Sequence, residues 1–488
     1  MVFSSSIFLF AFLPGLLLLY VICWKFSLKA SNIILLLGSL FFILWGSGKD
    51  TLILITMILT NYTSGLLMTK GKNGVLLVKG EKRTAFQKTV LILTLIFSFS
   101  LLVYFKYASF LGSNASALLS IFGISWEVPL IIKNIILPLG ISFYTFQALS
   151  YTLDVYFGNV ESTKSLLNFS LYVSFFPQLI AGPIVRYSHI YKQINKRTIT
   201  LNSVYEGMLR FMAGFTKKVL LANTVARAAD GIFDLPSSEL HTSLVWVGVI
   251  AYTLQIYLDF SAYSDMAIGL AKIFGFELKE NFKLPYIAKS IQDFWRRWHI
   301  SLSSWFRDYL YFPLGGNRKG RIRTYINLVI VFFICGLWHG AAWNFVIWGL
   351  WHGFFLVIER GFLSKILEKL PKAIRHIYTL LVVMIGWVLF RSETLTYAVD
   401  FLKTMFIPKS FSGQLFRVSR EYLQNDVVIA FVFGIIASLG FMIWLKKKCD
   451  STGSVQKNIF SVVVILLFLL SITSIYSGAY NPFIYFRF

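Results

Sequence analysis

Residues 327–358 read NLVIVFFICGLWHGAAWNFVIWGLWHGFFLVI. Two strongly apolar legs, NLVIVFFIC and FVIWGLWHGFFLVI, are joined by a short turn in which Gly336 and Gly340 stand on either side of His339. With their flanks, the legs give candidate membrane spans at 325–341 and 345–361, each roughly long enough to cross a bilayer when tilted. The stretch is therefore an apolar hairpin with an ionisable group near its turn. Inside a membrane such a group is costly and marks a functional position by default, and glycine-interrupted backbone at that depth is tolerated where it lines a cavity.

Outward from this hairpin the pattern repeats through almost the whole chain. Further candidate spans fall near 5–23, 31–47, 50–68, 88–106, 130–152, 166–182, 243–262, 376–391, 426–444 and 459–477. The composition agrees: 57% of the 488 residues are hydrophobic and 14% charged, against roughly 25% charged in soluble domains. The chain reads as an all-α polytopic integral membrane protein, a single domain over 1–488 with its motif-bearing core at about 140–360. No internal repeat is visible.

Lys and Arg number 46 against 22 Asp and Glu, a formal net charge of +24. The basic residues sit in short stretches between apolar runs, notably TKGKNGVLLVKGEKRTAFQK, NRKGRIRT, LSKILEKLPKAIRH and WLKKKCD. That is the positive-inside pattern rather than a nucleic-acid footprint, and it places these stretches in the cytosol with membrane lipid as the surrounding partner. An anionic inner leaflet and an anionic cytosolic substrate would both be attracted by this charge. The N-terminal run lacks a basic lead and is too long for a signal peptide, so it reads as an uncleaved first span. Both termini then lie outside, which requires an odd number of crossings. About eleven fit, with one Gly/Pro-interrupted segment between 130 and 243 re-entrant or horizontal.

Residues 285–316, PYIAKSIQDFWRRWHISLSSWFRDYLYFPLGG, are too polar to span comfortably and should lie at the interface or re-enter. Trp295, Trp298 and Trp305 read as interfacial anchors. Arg296, Arg297 and Arg307 could meet the phosphates of an anionic cytosolic substrate. Asp293 with Arg297, and His299 with Ser303, are four apart and would touch on a continuous helix. Asp259, Ser261, Ser264 and Asp265 in YLDFSAYSDMAIG need buried partners. The arginines of 285–316 are the expected ones, with a substrate path as the other reading.

Two readings stand for His339: a core histidine hydrogen-bonded between helices, or a general base that takes a proton from an attacking hydroxyl. His299 could orient a donor or a hydroxyl, and His352, in the similar WHG at 351–353, ranks below both. Cys335 and His339 have i,i+4 spacing, but no ligand set of metal spacing accompanies them, and no metal is assigned. Cys23, Cys335 and Cys449 form no disulfide framework. A serine hydrolase lacks its G-x-S-x-G elbow.

DFWRRWHISLSSWFRDYLYFPLGGNRKG followed by GLWHG resembles the bacterial membrane-bound O-acyltransferases of the alginate O-acetylation type. The likeness extends to SFYTFQALSYTLDVYFG, FFPQLIAGPIVRY, GFTKKVLLANTVA, YLDFSAYSDMAIG and the terminal FIYF. It implies about eleven transmembrane helices plus re-entrant or horizontal helices around a central funnel, with His339 at the family's invariant catalytic position and His299 at its second functional histidine. The resemblance further implies transfer of an acyl group, usually acetyl from acetyl-CoA, across the bacterial inner membrane to an extracytoplasmic glycan, commonly completed by a periplasmic transferase. Asn223, where Asp is expected, and Ala262, where Gly is usual, depart from the pattern. A permease or flippase for a lipid-linked glycan, and D-alanyl transfer to teichoic acid, are the alternative readings.

Overall fold

The computed structural model describes residues 3–69, 77, 79–180, 182–408, 420–452, 454–478 and 480–482. Lys72 and most of its basic loop, the side chains of Lys446 and Lys447, and the terminal FIYF lie outside the described residues. Among those described, every regular element is helical.

Eight helical stretches are long and apolar enough to cross a membrane: Phe8–Phe26, Leu28–Thr69, Ala85–Ile121, Thr242–Ile273, Arg321–His339, Trp343–Lys369, Lys372–Arg391 and Val455–Tyr476. The chain is a multi-pass membrane protein. Leu28–Thr69 is two helices, Leu28–Ser47 and Thr51–Thr69, divided by the tight turn Gly48–Asp50 as the 31–47 and 50–68 reading expects. Asn425–Ser438 is apolar but shorter.

Three expected spans differ: 426–444 breaks at Leu439–Gly440 into Asn425–Ser438 and Phe441–Thr452. The 130–152 span is displaced, because Asn134 ends a four-residue helix and Pro138 precedes Gly140, whose φ of +76° breaks the path; the long helix is Ile141–Phe157. The 166–182 span divides into Leu166–Ser174 and Phe176–Leu179 at Phe175, just before Pro177. A proline lacks the donor an uninterrupted helix needs there and restricts the residue before it.

The described residues group into two compact units, Met1–Val204 with Ala271–Lys279, and Tyr205–Leu270 with Glu280–Phe488. In the first, Ile141–Phe157 is buried along nearly its whole length. Two of its polar groups meet neighbouring helices, Thr152 donating to Asn61 Oδ1 at 2.6 Å and the Ser150 hydroxyl lying 2.9 Å from that of Tyr172. A Cβ on Gly65 would meet the Tyr151 ring at 2.6 Å, so only a glycine admits that ring. Small residues and interhelical hydrogen bonds are what hold helices together where lipid removes the hydrophobic drive.

The long helix Thr242–Ile273, 32 residues and about 48 Å long at 1.5 Å per residue, belongs to the second unit as far as Leu270. In its most apolar window 78% of residues are buried inside the protein, against 17% for Phe8–Phe26 and Val455–Tyr476. The first is a core helix; the others present their apolar faces to lipid. The departure at Ala262 falls where helices approach closely, since a Cβ on Gly214 would stand 2.8 Å from the Ala262 carbonyl oxygen. The partners of Asp259 and Asp265 correct the sequence expectation. Asp259 pairs with Lys218 at 2.8 Å, and Asp265 with Lys217 at 2.5 Å and Arg210 at 2.9 Å, none of them from 285–316. The approach at Gly214 aligns this basic face with the two carboxylates.

Candidate active site

The hairpin is present as read: Arg321–His339 and Trp343–Ile358 are separated by Gly340–Ala342. Its legs touch backbone to backbone. A Cβ on Gly336 would lie 2.3 Å from the Phe345 carbonyl oxygen, and one on Gly349 would lie 2.2 Å from that of Phe332. Gly340 is extended, so its need for glycine is spatial: a Cβ there would meet the Phe345 ring at 2.2 Å. His339 is the last residue of the first leg, 7% exposed, with its ring edge-on to Trp338, Trp348 and Phe390 at 4.9, 4.9 and 5.2 Å.

Residues 285–316 do not span. They form the short helices Ile291–Arg297 and Ile300–Phe306 with a break at Trp298–His299, followed by a wide turn at Arg307–Tyr311. The first helix is held at its N-terminus by Glu359, whose carboxylate accepts the N–H groups of Ile291 at 2.7 Å and Gln292 at 3.0 Å. Two orphan donors and the positive helix end are thereby satisfied together. His299 caps the second helix, its carbonyl accepting the Ser303 N–H at 3.0 Å, while its ring lies beside the Ser301 hydroxyl at 3.4 Å. His299 takes left-handed backbone, φ +42° and ψ +54°, a strained conformation for a residue with a side chain, held only where its surroundings impose it.

The break turns the imidazole of His299 inward. It is fully buried, edge-on to Phe260 at 4.7 Å, and 6.1 Å from the Trp338 ring that also touches His339. Burial pushes its pKa down to about 3 from 6.5, so the ring is neutral. His352 is also fully buried, but Trp295 decides its role: the indole N–H donates to His352 Nδ1 at 3.3 Å. An indole nitrogen can only donate, so Nδ1 is the acceptor and the proton sits on Nε2. The lone pair a base would need is already engaged.

Trp295, Trp298 and Trp305 are core residues, none more than 8% exposed, rather than the interfacial anchors expected. The broken helix presses them against other rings, Trp298 lying 4.9 Å from Trp387. The arginines do not join the histidines. Arg297 is tied to Asp293 at 2.9 Å, as the i,i+4 spacing predicts, and Arg307 to Asp308 at 2.7 Å. Arg296 is exposed. Sequence reading missed Glu359, Trp338 and Asn281, which faces His299 Nδ1 at 3.2 Å; the spacing of 18 residues between Asn281 and His299 carries no periodic signal.

The arrangement is thus two buried histidines against one indole, with a third held aside. A neutral imidazole can accept a proton or a hydrogen bond from a hydroxyl, and here such a ring stands among aromatic side chains.

Residues 40–391 match the model of the membrane-bound O-acyltransferase family. The chain is 40% identical over 505 residues to a probable alginate O-acetylase of Pseudomonas putida, covering all of both chains. It is 34% identical over 533 residues to the peptidoglycan O-acetyltransferase of Helicobacter pylori, covering all of this chain and 98% of that one. Similarity to the teichoic acid D-alanyltransferase of Bacillus subtilis is 30% over 228 residues, 44% of this chain and 57% of that one.

Proposed function

The chain belongs to the membrane-bound O-acyltransferase family and is a membrane O-acyltransferase, and from that premise we propose that it moves an acetyl group from cytosolic acetyl-CoA to the hydroxyl of an extracytoplasmic glycan or peptidoglycan. Two relatives named for O-acetylation of such polymers align along the whole chain, whereas the D-alanyl relative aligns along less than half. That contrast favours acetyl over alanyl. The bacterial inner membrane is the location that matches a cytosolic donor and an outer acceptor, and a periplasmic transferase that passes the group to the glycan is the expected partner.

The observation that carries the chemistry is the pair of buried histidines flanking Trp338. In the proposed step the acceptor hydroxyl attacks the thioester carbon while His339 takes its proton. The new C–O bond forms, the C–S bond breaks, and the proton passes from His339 to the departing thiolate. Such a base contributes about 10² to 10⁴ in rate. His299, held neutral by burial, is a poor proton carrier, but its buried ring still offers an acceptor nitrogen, so it orients the hydroxyl. Exposed Arg296 would meet donor phosphates at the surface, while Arg297 and Arg307 would have to leave their carboxylates to do so.

The test is acetate transfer from labelled acetyl-CoA in cells containing the periplasmic partner. His339→Ala should abolish transfer while protein level and melting temperature after detergent extraction stay near those of the parent, and the loss should fall on kcat rather than on donor KM. Substantial transfer by a stably folded His339→Ala protein would remove His339 from the role of base. Glycan movement across proteoliposomes without any acyl donor would favour the permease reading instead.

A further inference from the structure

Neutral histidine has two tautomers, and only one of them leaves a given nitrogen able to accept a proton or a hydrogen bond. In His299 the choice is made by Asn281, which is 1% exposed and precedes Phe282 in the loop after the long core helix. The orientation of the Asn281 amide is fixed by a donor that cannot change roles: the backbone N–H of Ser301 lies 3.1 Å from Oδ1, and the Ser301 hydroxyl donates to the same atom at 2.8 Å. A nitrogen in that place would set donor against donor, so the atom is the oxygen. The other end of the amide donates to Ser264 Oγ at 3.3 Å.

An amide oxygen offers only lone pairs. His299 Nδ1, 3.2 Å from it, therefore carries the ring proton, and Nε2 keeps its lone pair. Nε2 is buried and has no hydrogen-bond partner among the described residues. Among the described residues Phe260, Phe282, Trp338 and Ser301 meet the ring, and none of these four carries a charge near neutrality. The backbone holds the pair in register, with Ile300 N–H donating to the Asn281 carbonyl at 2.9 Å and Lys283 N–H to that of Arg297 at 2.9 Å. The two non-glycine residues with left-handed backbone among those described, Leu284 and His299, both lie in or next to these paired stretches, 281–283 and 297–300.

We infer that Asn281 is a positioning residue that fixes the Nδ1–H tautomer of His299, holding the Nε2 lone pair toward the acceptor hydroxyl. The inference rests on the acyltransfer reading for its consequence in rate, but the tautomer is a property of the folded protein whatever the substrate.

Two variants separate this role from packing. Asn281→Asp keeps an acceptor opposite Nδ1 and loses the donor to Ser264; Asn281→Leu loses both. In full-length protein in detergent, ¹⁵N-labelled histidine identifies the His299 signals as those missing from His299→Ala. The expected spectrum shows a protonated Nδ1 and an unprotonated Nε2 in the parent and, with Asn281→Leu, a mixture of tautomers. In the acetyl-transfer assay Asn281→Asp should stay within about tenfold of the parent, while Asn281→Leu should fall by about 10² or more. A parent with its proton on Nε2 overturns the inference. So does equal loss, or no loss, of activity in both variants when their melting temperatures match. A parent with the expected tautomer but no transfer from acetyl-CoA leaves the positioning intact and overturns the proposed donor instead.

Discussion

At the scale of single residues, three histidines of similar sequence surroundings have been given three different states by their neighbours. Asn281 leaves His299 an open Nε2, Trp295 occupies Nδ1 of His352, and His339 stands at a helix end among aromatic edges. The difference has a thermodynamic signature. Burial lowers the pKa of His299 from 6.5 to about 3, so between those values the unfolded chain binds a proton that the folded chain does not, and stability falls as pH falls. The contribution is fully present above 6.5 and should decline by about 2 kcal/mol between pH 7 and pH 5. Melting temperatures of the detergent-extracted protein at pH 7, 6 and 5 test this against His299→Gln, which should lose less on acidification than the parent does. Parallel curves would mean that His299 is not held neutral. His352→Gln, with the lone pair of its imidazole already taken, should slow transfer far less than His339→Ala.

At the scale of elements, the hairpin was legible because apolar length, flanking charge and glycine placement all appear in a linear reading, and His339 with it. Its cause is backbone contact at Gly336 and Gly349, which yields a direct prediction. Gly349→Ala puts a Cβ within 2.2 Å of the Phe332 carbonyl oxygen, so the legs must part, at a cost of about 1–3 kcal/mol or more. Melting temperature and kcat should fall together, since His339 rides on the displaced leg. Gly361→Ala is the control: its Cβ would meet nothing closer than the Tyr325 hydroxyl at 3.6 Å, and both quantities should stay near the parent's. What was not legible is equally physical. Hydropathy averages over Pro138 and Pro177 and so misplaced the 130–152 span and left 166–182 whole. Asp259 and Asp265 drew their cations from Lys217, Lys218 and Arg210 rather than from the arginines of 285–316, because pairing follows helix approach and not sequence distance. Asn281 was invisible for the same reason.

At the scale of the whole molecule, charge and burial divide the labour. Thr242–Ile273 is enclosed by protein, whereas Val455–Tyr476 presents mostly lipid-facing side chains, so the latter is the simpler test of how the chain is threaded. It leads from the basic WLKKKCD to the exposed Ser477. If positive charge marks the cytosolic side, Ser477 lies outside and the exposed run Arg318–Lys319 lies inside. The described length of the final helix, 22 residues, is about 33 Å, enough for one crossing and not for two. In a variant freed of Cys23, Cys335 and Cys449, a cysteine in place of Ser477 should react with an impermeant thiol reagent on intact cells, and one in place of Lys319 only after the membrane is opened. Labelling of both from outside would break the link between basic loops and the cytosol, and would move the donor entrance away from Arg296. Labelling of Lys319→Cys alone would invert the whole chain and put the acetyl-CoA side on the wrong face of the membrane for the proposed reaction.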